Sequence, residues 1–438
     1  MRESRAHPDA LIIGAGIVGA AIAFELSKRG MKTLNVDAQP APGYGSTGNS
    51  CAIVRTHYSS KPGVAMAREA TECWMDWPNY LGVEDEAGTA RYVRCGTVLL
   101  QSSGKSNDRV LDLYRELGVE FEEWHTSRIE ERLPVCSTAA FGPPKSVDSP
   151  EFWREPDSEL AGAIFTPHSG YVSDPQLATH NLQRAAEARG AVFRFGAKVV
   201  DIKHKNGRVA GVVLASGERI DAPVVVNVAG PHSFVINRLA GVEEGMNIKT
   251  RALRHEVHHV PSPAGFDFEH DGLHVSDSDL GIYFRPDVGN NILVGSEDPV
   301  CDPRTWIDDP DRFDRHITEA QWQAQVYRLG RRLPSLGIPT ERRGVVDLYD
   351  VSDDWIPIYD RSDLDGFYMA VGTSGNQFKN APVVGALMAD LIEACERGHD
   401  HDTAPLVVKT PYKRFEVDTG FFSRRRSIHR DSSFSVLG

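Results

Sequence analysis

The chain has 438 residues, too many for one ordinary hydrophobic core, which predicts two closely joined domains. Hydrophobic residues form 41% of it and charged residues 25%, a globular composition, and the formal net charge of −13 argues against nucleic acid or an anionic membrane surface as a partner. The six cysteines (Cys51, Cys73, Cys95, Cys136, Cys301, Cys395) form no CxxC pair, which excludes a disulfide scaffold or a zinc ribbon and suits a reducing cytoplasm.

Arg2 and Arg5 precede an apolar stretch from Leu11 to Leu26, superficially like a secretory signal. Three glycines interrupt that stretch, and Lys28 and Arg29 follow without a small-residue cleavage site, so a buried strand, turn and helix are expected instead. Ala10 to Ile13 reads as the strand, Ile17 to Arg29 as a helix ended by Gly30, and Thr33 to Val36 as a second strand closing on Asp37. Three short strands follow in mid-chain, Lys198 to His204, Arg208 to Leu214 and Glu218 to Asp221, with Asn206-Gly207 and Ser216-Gly217 at the turns. Val224 to Val228 is apolar without alternation, as a parallel strand buried on both faces should be, and ends in Ala229-Gly230. The same grammar returns with strand Phe367 to Val371, a glycine-bearing loop, and a helix from Pro382 to Cys395.

This pattern predicts an α/β protein: a Rossmann-like nucleotide-binding domain from 1–83, 156–235 and 346–400, with an inserted second domain from 84–155 and 236–345. Residues 401–438 read as a C-terminal tail, whose basic run Arg424-Arg425-Arg426 is expected to be a solvated face or a subunit contact. No stretch approaches ~18 uninterrupted apolar residues, so no membrane span is expected.

Gly14-Ala15-Gly16-Ile17-Val18-Gly19 is a GxGxxG loop in the context that gives the motif meaning, with an acid, Asp37, about 20 residues on. Gly14 permits the tight turn, Gly16 lets a pyrophosphate approach the backbone, and Gly19 lets helix and strand pack closely. The helix start carries roughly half a positive charge toward the phosphates. His255-Glu256-Val257-His258-His259 formally reads H-E-x-x-H, a zinc-peptidase signature that needs a helix. Pro261 and Pro263 follow it and no cap precedes it, so a strand is expected. Four residues of strand span about 13 Å, too far for two histidines to reach one zinc at ~2.1 Å, so no metal site is expected.

Five segments carry a resemblance in order along residues 8 to 398: Gly14–Gly19, Gly45–Ser50, Ile53–Tyr58, Gly281–Pro286 and Gly372–Lys379. The chain resembles the D-amino-acid oxidase superfamily of flavoproteins, particularly its sarcosine oxidase and dimethylglycine dehydrogenase branch. The resemblance implies an FAD domain of the glutathione-reductase type and a mainly antiparallel β-sheet substrate domain roofing the flavin. It places FAD against Gly14, Gly16, Ile17, Val18, Gly19, Asp37, Ala38, Gly45, Ser46, Thr47, Asn49, Ser50, Cys51, Ala52, Val199, Ala229 and Gly230. The contact set continues through Gly372, Ser374, Gly375, Asn376, Gln377, Phe378 and Lys379. Arg55 and Lys379 match the family's carboxylate-binding arginine and lysine, Tyr349 an active-site tyrosine, and Tyr283 or Phe284 an aromatic of the pocket wall. His57 and His232 are further polar candidates near the flavin.

The departures from the family are informative. Asp347 stands where a covalent flavin cysteine would be, and Asn49 where a covalent histidine would be, which implies non-covalent FAD. Asp174 replaces the histidine that anchors a second flavin, so FMN is not expected. Leu293 falls where sarcosine oxidases carry an oxygen-activating lysine, which leaves the acceptor as O2 or another compound. The expected reaction is hydride transfer from a carboxylate-bearing amine, such as a secondary or N-methyl amino acid, to flavin N5, giving an imine that hydrolyses. The alternatives are a flavin subunit of a larger dehydrogenase complex and an FAD-dependent dehydrogenase of a non-amine substrate such as a phosphorylated polyol; the expected assembly is a homo-oligomer or a complex subunit.

Overall fold

The computed structural model describes residues 7–102 and 107–438; Arg2 and Arg5 lie outside them. The first strand–helix–strand unit forms as Ala10–Ile13, Ile17–Lys28 and Thr33–Val36. The first strand is entirely buried and pairs in parallel with Thr33–Val36 on one side and Val224–Asn227 on the other. The six-stranded sheet runs Ile358–Arg361, Phe367–Val371, Val224–Asn227, Ala10–Ile13, Thr33–Val36, Val192–Arg194. All its pairs are parallel except the first.

Alternation along the strands assigns each face its own core. Ala10 and Ile12 pack with the helices Ile17–Lys28, Pro175–Glu187 and Ala381–Glu396. Leu11 and Ile13 pack with the antiparallel meander Val199–Lys205, Arg208–Leu214, Arg219–Asp221 on the other face. Both faces are therefore covered, which is why these strands are continuous apolar runs. The meander turns as its sequence predicts, with Asn206 and Gly207 at φ +52° and +77°.

The second large sheet has nine strands. Its path is Thr305–Ile307, Thr250–Pro261, Asn291–Ser296, Ile282–Asp287, His274–Asp277, Thr97–Gln101, Gly162–Thr166, Glu122–Trp124, with Arg343–Ser352 also paired along Thr250–Pro261. Its pairs are antiparallel except that of His274–Asp277 with Thr97–Gln101. This sheet takes in Gly162–Thr166 and Arg343–Ser352, from stretches expected wholly or mainly in the nucleotide-binding part. Those short apolar runs fit either sheet by composition, and long-range pairing decides between them. Helix Glu319–Arg332 packs on the sheet through Trp322, Val326 and Leu329. The H-E-x-x-H segment lies within strand Thr250–Pro261, as its prolines predict. No helix among the described residues is long and apolar enough to cross a membrane.

The basic run corrects the expectation of a solvated face. Arg424 has no exposed side-chain surface and pairs with Asp360 at 3.0 Å and Asp402 at 2.7 Å. Arg426 is 4% exposed and pairs with Asp354 at 2.8 Å. Only Arg425, 49% exposed, has a substantially solvated side chain. The carboxylates that neutralise the run come from other parts of the chain, so the run alone looks solvated. Replacing Arg424 with alanine strands a buried carboxylate and should cost about 3–5 kcal/mol in denaturant unfolding. Arg425→Ala should cost about 0–1 kcal/mol. Equal small losses would contradict the buried anchor.

Candidate active site

The glycine loop is shaped by close approach. Gly14 sits at φ +122°, and a Cβ there would meet the Val228 carbonyl oxygen at 2.4 Å. A Cβ at Gly19 would meet the Gly14 oxygen at 2.3 Å, so any side chain would push the helix off the strand. Asp37 accepts from the Ala15 amide at 2.6 Å and the Gln39 amide at 2.7 Å, which fixes its carboxylate beside the loop. Helix Ile17–Lys28 starts at Gly16 with no side-chain cap of its own. Thr47 Oγ1 instead accepts from the Ile17 amide at 3.2 Å, tying the Gly45–Ala52 segment across the helix start.

A cavity of about 560 Å³ opens over this loop. It is lined by every glycine-loop, Asp37–Ala38, Gly45–Ala52, Val199 and Ala229–Gly230 residue expected at a cofactor, together with Gly375–Lys379, Arg55, Tyr283 and Tyr349. Gly372 and Ser374, also expected at the cofactor, do not line it. They brace the loop from behind: the Gly372 amide donates to Asp350 Oδ2 at 2.6 Å, and Ser374 Oγ accepts from the Ser352 amide at 3.3 Å. Burial pushes the Asp350 carboxyl up to about 7. Asn49 and Asp347, remote in sequence, meet at the cavity wall through a 2.6 Å hydrogen bond. Cys51 lines the same wall, and burial raises its thiol pKa, keeping it protonated. Asp174 accepts from the Leu177 amide at 2.8 Å as the cap of helix Pro175–Glu187.

The loop from Asn376 to Asn380 is held by aromatic residues. Tyr58 Oη donates to the Asn376 carbonyl at 2.7 Å, Tyr359 Oη to Gln377 Oε1 at 2.9 Å, and Trp74 Nε1 to the Lys379 carbonyl at 2.7 Å. Phe378 stacks on Trp74 with centroids 5.6 Å apart. The short helical turn Phe378–Asn380 then runs into helix Ala381–Glu396, whose start carries no side-chain cap.

Arg55 and Lys379 are brought together on one ring. The Arg55 guanidinium lies 5.0 Å and the Lys379 ammonium 5.1 Å from the centroid of one ring, Tyr58. Both side chains are buried. Among the described residues neither has a carboxylate within 4.0 Å. Lys379 Nζ donates to the Asn376 carbonyl at 2.6 Å, and burial, then the Arg55 charge, holds its pKa well below the ordinary lysine value. Glu297 is bonded by Ser276 at 2.5 Å and Ser278 at 2.7 Å, and burial pushes it up to about 7.

Tyr349 stacks on His255 at 4.3 Å, and Tyr283 Oη lies 3.6 Å from Cys51 Sγ. Gly375 and Gly295 make room for these rings, since a Cβ would meet Tyr349 at 2.5 Å and Tyr283 at 2.3 Å. Of the two histidine candidates, His232 lines the cavity and bonds Asp311 at 3.0 Å, while His57 lies beside Arg55 and does not line it. Leu293 is buried in one apolar cluster with Tyr283. Sequence reasoning missed His255, His274, Ser276, Val436 and Leu437, all of which line the cavity. For His255 the strand alternation was the available signal; for Val436 and Leu437 there was none.

Comparison with known proteins places this geometry. The chain is 24% identical over 407 residues to glycine oxidase of Geobacillus kaustophilus, covering 90% of this chain and 94% of that one. It is 24% identical to sarcosine oxidase subunit beta of Rhizobium meliloti, covering 92% and 88%. A match to the mitochondrial pyruvate dehydrogenase phosphatase regulatory subunit of Mus musculus, 26% identical, spans 67% of this chain but only 30% of that protein. Among solved structures, L-proline dehydrogenase from P. horikoshii superposes with a TM-score of 0.75 at 21% identity, covering 95% and 97%, which shows the shared fold. The profile of the FAD dependent oxidoreductase family, DAO, matches residues 9–391, and the chain belongs to that family.

Proposed function

We propose that the protein oxidises an amine bearing a carboxylate, a secondary or N-methyl amino acid or a related amino acid. The observation that carries this reading is the pair of buried basic side chains, Arg55 and Lys379, on one ring with no carboxylate of the described residues within 4.0 Å of either. Burying such charges unpaired is costly, and a substrate carboxylate is the group that would neutralise them. A guanidinium forks onto a carboxylate through two hydrogen bonds, and the ammonium adds a point charge.

In this reading the six-stranded sheet and its meander hold the cofactor, and the nine-stranded sheet roofs the substrate. The glycine cradle, the helix start crossed by Thr47, and the Asp37 carboxylate fit the pyrophosphate and ribose of FAD. Bound FAD supplies the acceptor for a hydride leaving the substrate carbon. Arg55 and Lys379 bind and orient the carboxylate, while Tyr283 and Tyr349 wall the amine from water. The oxidised amine leaves as an imine, which water hydrolyses. Asn49 and Asp347, bonded to each other, and the protonated Cys51 thiol support a non-covalent cofactor. Leu293 offers no charge to stabilise reduced oxygen, so O2 and another acceptor both fit.

Three measurements test this. Gly14→Ala should leave the purified protein nearly free of flavin absorbance, because the new Cβ collides with the Val228 carbonyl; full flavin content would contradict the cradle. Arg55→Ala should raise KM for a carboxylated amine by about 30-fold or more while changing it little for an uncharged amine. Equal effects would remove the carboxylate from the reading. The third concerns pH. Because the Lys379 pKa lies below its ordinary value, a bound carboxylate raises it, and binding takes up a proton. Affinity for acetate should therefore fall as pH rises, and this dependence should weaken in Lys379→Met.

A further inference from the structure

The guanidinium assigned to the substrate is already engaged by the chain itself. Arg55 Nη2 donates to the carbonyl oxygens of Val436 at 2.9 Å and Leu437 at 3.1 Å, and Nη1 donates to the His57 carbonyl. Val436 is 7% exposed, packs with Cys51, Tyr283, Leu293 and Trp355, and lines the cavity together with Leu437.

The two ends of this segment are held differently. At one end Arg424 and Arg426 are locked by buried carboxylates. Residues 427–434 then run mostly exposed and without a helix or strand. Phe434 takes a left-handed φ of +49°, a conformation that costs a bulky residue energy. The tip itself offers only neutral acceptors and hydroxyls: Ser435 N donates to Ser433 Oγ at 3.3 Å, Leu437 N to Ser435 Oγ at 3.2 Å, the Phe434 carbonyl accepts from Arg304 Nη2 at 2.8 Å, and the Val436 and Leu437 carbonyls accept from Arg55. A guanidinium's hydrogen bond to a carboxylate, charged on both sides, is stronger than one to a neutral carbonyl. Each tip contact is therefore weaker than the doubly charged pairs of the anchor.

We infer that Ser435–Leu437 is a built-in stopper for the carboxylate subsite, occupying Arg55 when no anion is present and displaced when a substrate carboxylate forks onto it. This rests on the carboxylate-binding role proposed for Arg55. The stopper keeps a buried guanidinium satisfied in the free protein. It also lowers the apparent affinity for carboxylates by the fraction of molecules in which it is seated.

The test is acetate binding to the flavin-loaded protein, read by the change in flavin absorption, with and without residues 434–438. Removing them should tighten acetate binding by about tenfold. Unchanged or weaker binding overturns the stopper. Arg55→Ala in the unshortened chain should weaken acetate binding strongly; if it does not, the carboxylate role itself fails, an outcome separate from the first. Should the shortened protein lose flavin or unfold, Ser433→Ala with Ser435→Ala loosens the tip without deletion. That variant should move affinity in the same direction, and an unchanged affinity overturns the stopper. Hydrogen exchange gives an independent reading: acetate should speed exchange across 427–437 in the unshortened chain, and slower exchange there would also overturn it.

Discussion

The contact between Gly14 and the Val228 carbonyl is the constraint from which the site follows. Two neighbouring parallel strands, more than two hundred residues apart in sequence, end side by side, and only a residue without Cβ lets the second strand's exit pass so close to the first turn. That closeness sets helix Ile17–Lys28 down on the sheet and aims its start into the cavity. Gly19 against the Gly14 carbonyl then fixes the distance between helix and strand. A cradle built this way consists of backbone amides and bare Cα atoms, suited to a phosphate and to little else.

Chemistry and cradle are joined by aromatic scaffolding. Tyr58 lies beneath both buried cations and also holds the Asn376 carbonyl, so the loop that carries Lys379 is positioned by the ring that Lys379 sits on. Trp74 and Tyr359 hold the same loop from other directions. The charges are thereby fixed at a site where solvent cannot screen them, and a low-dielectric pair of cations discriminates strongly between an acid and its neutral analogue. The buried arginines Arg424 and Arg426 play the opposite part: each is matched by carboxylates, and each contributes anchorage rather than recognition.

Local signals in the sequence carried much of the frame. The glycine loop, the Asn206-Gly207 hairpin and the apolar strand Val224–Asn227 each depend on neighbours within a few residues, and each forms within a residue or two of expectation. Arg55 and Lys379 were legible only through family resemblance, since nothing local distinguishes them from ion-paired residues. What stayed hidden depends on distant partners. Nothing in the C-terminal tail's own sequence shows that its Val436 carbonyl accepts from the Arg55 guanidinium, 381 residues away. Likewise Arg424 looks like a surface cation until Asp360 and Asp402 close around it. Gly372 and Ser374 belong to a loop that does reach the cavity, but the turn faces them inward, toward Asp350 and Ser352.

The most direct measurement is anaerobic mixing of the flavin-loaded protein with N-alkyl amino acids, with their amides, and with phosphorylated polyols, following the flavin absorption. The carboxylate site proposed at Arg55 and Lys379 predicts bleaching by the free acids and far slower bleaching by the amides. Equal bleaching by acids and amides, or bleaching by phosphorylated polyols alone, would contradict a carboxylate-bearing amine as the substrate.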